Sequence, residues 1–218
     1  MNRSPFLEGK GGWLVASGEC PVRLAAMNEP DESAQNEDPL VLAMPRRELF
    51  RFSGFSTAID LDLIDSIAGE SWYAAASTLV GSLEAKEVRL GLLCERGDEV
   101  LVDAAGSLLH STRVGPEIGR LGHGIKALRD LALLAGARFL AVERVRCELV
   151  GFLNEEVISG YRGALLLVYR CRAGDQASTP PGMTWVHRRQ LAQWALDPVA
   201  VMIAAQLYAP PPAARENP

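Results

Sequence analysis

One helix-forming stretch bounded by glycines constrains this chain more than any other part of it. Gly124 to Ala135 is rich in good helix formers, and Ala135-Gly136 reads as its stop. Before it, Val88 to Cys94 and Glu99 to Val102 flank the turn Arg96-Gly97-Asp98, the pattern of a hairpin. After it, Val145 to Leu153 and Gly163 to Arg172 read as strands, the second carrying the apolar run Ala164 to Tyr169. Hairpin, helix, strands: this order predicts a mixed α/β domain with a largely antiparallel or mixed sheet rather than a regular βαβ repeat. The Arg-Gly-Asp triplet is most simply turn chemistry.

The flanks extend the pattern. Leu40 to Met44 is an apolar run ended by Pro45, followed by a short helix from Arg46 through Phe50. Apolar residues at 59, 61, 63, 64 and 67 predict a further helix, with Asp60, Asp62 and Asp65 between them. Positions 60 and 62 point to different helix faces, so these aspartates suit a helix start and a solvated face better than a metal site. After the loop Gly174 to Pro181 come a short strand at Met183 to Val186 and helices at Arg188 to Trp194 and Pro198 to Leu207. Asp197 is the expected N-cap of the last, with Pro198 at its first position.

At the N-terminus, a short strand is expected around Trp13-Leu14-Val15, and the acidic run Asn28 to Pro39 has too few apolar residues to offset the entropy of ordering. The expected organisation is an N-terminal extension with an acidic linker at 1–39, one domain at 40–209 and a proline-rich tail at 210–218. A chain that is 48% hydrophobic and 22% charged is of the globular class. At this length one domain buries about 70% of its unfolded surface.

Net charge is −5 and the basic residues come in ones and twos, as at Arg46-Arg47 and Arg188-Arg189, so no basic stripe marks a nucleic-acid surface. No apolar run approaches the ~20 residues needed to span a bilayer. Met1 to Lys10 lacks the pattern of a secretory signal, so a cytoplasmic location is expected. Cys20, Cys94, Cys147 and Cys171 form no CxxC pair and read as small buried hydrophobes, kept reduced.

Numbered from Gly115, the central stretch gives glycine, five residues, Leu121, seven residues, then Arg129-Asp130-Leu131-Ala132-Leu133-Leu134-Ala135-Gly136-Ala137. This spacing resembles, without a gap, the 23-residue box of the Nudix hydrolases, G-x5-E-x7-R-E-U-x-E-E-x-G-U. Gly115, Arg129, Leu131 and Gly136 match it, Asp130 is a shortened glutamate, and Ala137 stands in for the final aliphatic. The remaining glutamate positions hold Leu121, Leu133 and Leu134. The resemblance extends over about 40–207. It is strongest to bacterial Nudix relatives described as predicted phosphoesterases, through Val41 to Phe50, Gly54-Phe55, Leu149 to Glu156, Ala164 to Tyr169, Trp185 and the helix Leu191 to Trp194.

The resemblance implies a Nudix-type α/β/α sandwich, with a mixed sheet between the box helix and the C-terminal helices. It also implies that the family's carboxylates, which hold divalent cations, are largely missing here. Mg²⁺ takes hard oxygen ligands, and leucine supplies none. Asp130 alone would be a weak site. The expected function is a catalytically degenerate Nudix-fold protein acting as a binding, regulatory or assembly subunit, with no metal, and with a protein partner, self-association or a nucleotide-like ligand. The alternative is a divergent hydrolase of a nucleoside-diphosphate-linked or related phosphate, in which Asp130 with Glu117, Glu155 or Glu156 holds Mg²⁺ or Mn²⁺.

Other candidates read more plainly. Glu155 and Glu156 on a turn after a strand are expected to be solvated rather than catalytic. His110, His123 and His187 have no Ser or Cys partner at motif spacing. Gly119 to Gly124 only echoes a Gly-x-Gly-x-x-Gly loop. Trp13, Phe50, Phe52 and Phe55 suit either a partner surface or the core.

Overall fold

The structure is a computed structural model that describes residues 38–49, 51–120 and 124–208. The strand expected around Trp13, the tail 210–218, Phe50, Cys20, Leu121 and His123 lie outside the described residues.

Nine strands form one mixed sheet: β1 (Leu40–Pro45), β2 (Gly54–Ser56), β3 (Trp72–Ala75), β4 (Ala85–Arg96), β5 (Glu99–Asp103), β6 (Leu109–Arg113), β7 (Arg146–Asn154), β8 (Ala164–Ala173) and β9 (Met183–His187). Its main path runs β2-β7-β8-β4-β1-β3, with β4 and β8 parallel over ten residue pairs and the other pairings antiparallel. The helices are α1 (Leu61–Glu70), α2 (Ala76–Leu79), α3 (Gly124–Phe139) and α4 (Pro198–Leu207). Among the described residues, 3-10 turns lie at Arg46–Leu49, Pro116–Arg120 and Arg188–Gln193.

Alternation along β4 divides the core. Val88, Leu90, Leu92 and Cys94 pack with Leu63 and Ile67 of α1 and Leu128, Leu131 and Ala132 of α3. Leu93 faces the other way, into a cluster with Leu109, Leu166, Val168 and Val199, Ala200 and Ile203 of α4. The sheet is thus covered on both faces, with α1 and α3 on one and α4 on the other. Each fully buried leucine stabilises this arrangement by roughly 1.5–3 kcal/mol.

Caps appear where short polar side chains were available. Asp197 accepts from the backbone N–H of Ala200 as the expected N-cap, and Asp60, expected only near a helix start, caps α1 by accepting from Asp62 and Leu63. The expected stop at Ala135-Gly136 is corrected: α3 continues to Phe139. Gly136 is there for packing, since a Cβ on it would sit 3.2 Å from Cys171 Sγ and 3.3 Å from Val145 Cγ2. The helix ends instead at Ala141, whose φ is 50°, with Val142 N–H bonded to Ala137 O and Ala141 N–H to Arg138 O. That pair of bonds is a Schellman motif, built on alanine rather than glycine.

The expected hairpin forms, but only Glu95↔Val100 and Arg96↔Glu99 pair across it. β5 then leaves to pair with β9, and β6 takes its place along β4. Strand β6, Leu-His-Ser-Thr-Arg, is mostly polar and gives no clear alternation, so nothing local announced it.

Candidate functional site

Gly115 lies in the loop after β6, and Arg129, Leu131 and Gly136 lie on α3. Gly115 ends the loop after β6, and its carbonyl accepts from Ile118 N–H. The Glu117 carboxylate folds back against it, so that a Cβ at 115 would lie 2.3 Å from Glu117 Oε2. Leu131 is buried in the core beneath α3, and Arg129 is exposed.

The positions of the family's carboxylates look different. Leu133 is half-buried against the core, and Leu134 is 41% exposed. Asp130 is half-buried, and its carboxylate makes no hydrogen bond or ion pair among the described residues. Of these three helix positions one offers an oxygen, so the donor set does not fit a divalent cation that needs several hard ligands. Among the described residues no group of three or more His, Cys, Asp or Glu side chains is placed to hold a metal ion.

Glu155 and Glu156 correct the expectation of a merely solvated pair. Glu155 is 8% exposed and accepts the backbone N–H groups of Glu156 and Val157, closing the turn after β7. Glu156 Oε1 lies 2.5 Å from Lys86 Nζ and 2.8 Å from Arg46 Nη1. Lys86 also donates to Asn154 Oδ1 at 2.5 Å, and Asn154 Nδ2 donates to the carbonyls of Leu49 and Phe52. Burial pushes the Lys86 amine below its ordinary pKa, against the pull of Glu156. Burial works to raise the Glu156 carboxyl, but hydrogen bonds from Lys86 and Arg46 outweigh it and hold it low. With Leu49, Phe52 and Ser53 these groups line a cleft of about 290 Å³.

Lys86 and Asn154 were missed at the sequence level. Lys86 is flanked by Glu84, Glu87 and Arg89, so no local signal marked it as buried; only the strand pairing that brings Asn154 and Glu156 to its amine does. The two described histidines, His110 and His187, carry no chemistry of this kind. His110 stacks on Phe139 with ring centroids 3.9 Å apart, and burial lowers its pKa. His187 Nδ1 accepts the Arg189 N–H at the start of a 3-10 turn. Phe55 is core, and Phe52 is partly buried against it. Cys94, Cys147 and Cys171 are buried free thiols.

With a mixed sheet held between α3 and α4, and a glycine-bounded loop leading into α3, the architecture is that of the Nudix-type fold. Among solved structures the chain is similar to the crystal structure of Tm1382, a candidate Nudix hydrolase, with a TM-score of 0.60 and 16% sequence identity. The match covers 77% of this chain and 97% of that one, and a likeness at this identity establishes the fold. No protein-family model matches the sequence, and neither does any curated protein.

Proposed function

We propose that this chain is a Nudix-fold protein whose box helix no longer does metal-dependent chemistry, and that it works as a binding, regulatory or assembly subunit. The observation that supports this reading is α3 itself: it keeps its packing residues while Leu133 and Leu134 stand beside Asp130 where oxygen ligands would be needed. Two of the carboxylates that a hydrolase could recruit are engaged elsewhere. Glu155 closes a turn and Glu156 is paired with Lys86 and Arg46.

Calorimetric titration with Mn²⁺ and Mg²⁺, run beside a panel of nucleoside-diphosphate-linked substrates, tests the proposal. No saturable metal binding and no turnover are expected. Saturable binding accompanied by metal-dependent turnover that Asp130→Asn abolishes would establish the hydrolase instead.

A further inference from the structure

On the sheet face opposite α3, the apolar cover is interrupted. Val41, Ala43, Ala76, Leu79 and Ala85 form one small cluster, and the α4 cluster is separate from it. Beside that small cluster lies a cleft of about 520 Å³. Four guanidinium groups line it, those of Arg46, Arg89, Arg113 and Arg162, against two carboxylates, Glu87 and Glu156. A local excess of positive charge is notable in a chain of net charge −5.

Arg89 of β4 and Arg113 of β6 are direct cross-strand partners, a like-charge placement that costs stability. Glu87 sits between them, 4% exposed, with Oε2 2.6 Å from Arg89 Nη2 and Oε1 3.2 Å from Arg113 Nε. One carboxylate cannot satisfy two five-donor guanidiniums. The Nε atoms of Arg89 and Arg46 are buried without a hydrogen-bond partner, and Arg162 is exposed with no partner among the described residues. Val80 and Leu83, on the same cleft, are 84% and 86% exposed.

We propose that this cleft binds a phosphate monoester with an apolar body. Arg89, Arg113 and Arg162 hold the phosphate, and Val80 and Leu83 receive the body. Phosphate fits because its several acceptor oxygens match planar, bidentate guanidinium donors. The site is independent of the box, since it lies on the other face of the sheet. The monoester is either a free small molecule or a lipid headgroup.

Calorimetry in phosphate-free buffer with inorganic phosphate and phenyl phosphate tests this, beside flotation with phosphatidic acid and phosphatidylcholine vesicles. Phenyl phosphate is expected to saturate one site per chain more tightly than inorganic phosphate, and Leu83→Ser to narrow that margin. Arg162→Ala or Arg113→Gln, both at exposed side chains, should weaken binding about tenfold with an unchanged melting temperature. Selective flotation with phosphatidic acid alone, lost in the same variants, would place the phosphate in a lipid headgroup. Absence of saturable binding to every probe, or binding that neither arginine variant changes, overturns the proposal.

Discussion

Lys86 Nζ lies 2.5 Å from Glu156 Oε1, and the lysine side chain is 1% exposed while that of the glutamate is 43% exposed. The pair is therefore asymmetric: the lysine depends on the glutamate more than the reverse. Glu156→Ala leaves a buried ammonium with only Asn154 opposite it, and should cost about 2–4 kcal/mol. Lys86→Met leaves a carboxylate still paired with Arg46 and open to water, and should cost less, about 1–2 kcal/mol. Urea denaturation of the two variants gives the order, and equal losses would contradict it.

The same contact sets an acid limit. Glu156 has a folded pKa below its ordinary 4.5, so the unfolded chain binds the proton first as pH falls. Its contribution is complete above about 4.5 and disappears as pH drops through the lowered folded value. Thermal melts of the wild type and Glu156→Gln from pH 7 to pH 3 should converge below that point.

The two leucines of the box should separate. Leu134 is 41% exposed, so Leu134→Glu is expected to change stability by no more than about 0.5 kcal/mol. Leu133 packs against the core, and Leu133→Glu should cost about 2 kcal/mol. Equal tolerance of both by thermal denaturation would mean that Leu133 faces an open pocket.

Ala141 holds the left-handed position that closes α3, where glycine is strain-free. Ala141→Gly should stabilise the protein by about 0.5–1 kcal/mol, raising the melting temperature by about 2–4 °C. Gly136→Val should do the opposite, losing about 2 kcal/mol or more against Cys171 and Val145.

The thiols should be inert while the fold is intact. Burial pushes Cys94 up to about 12; the hydrogen bond between Cys147 and Cys171 raises Cys171 and lowers Cys147, which its burial keeps from the reagent. In a Cys20→Ser variant, iodoacetamide should label the remaining three only as fast as the protein unfolds. Rapid native labelling of any of them would show that it reaches solvent.

How much of this was legible depends on whether the signal was local. Strands β4, β7 and β8, helix α1, and helix α4 with its Asp197 cap follow from apolar period and cap chemistry within a few residues. The end of α3 was misplaced because Gly136 resembles a terminator in sequence, yet serves a close approach to Cys171 on a distant strand. Strand β6 was invisible because its pairing with β4, rather than its own polar sequence, makes it a strand.

By itself the sequence determined the helix that begins at Gly124 and the absence of carboxylates at Leu133 and Leu134, since both are matters of residue type at fixed spacing. Only the tertiary structure decided where charge collects. Arg46, Arg89, Arg113 and Arg162 are far apart along the chain and suggest no basic surface, but sheet pairing and the turn before β8 bring them around a single cleft. Lys86 and Glu156 meet across 70 residues in the same way. Electrostatic energy depends on distance in space, which sheet register sets and sequence separation does not.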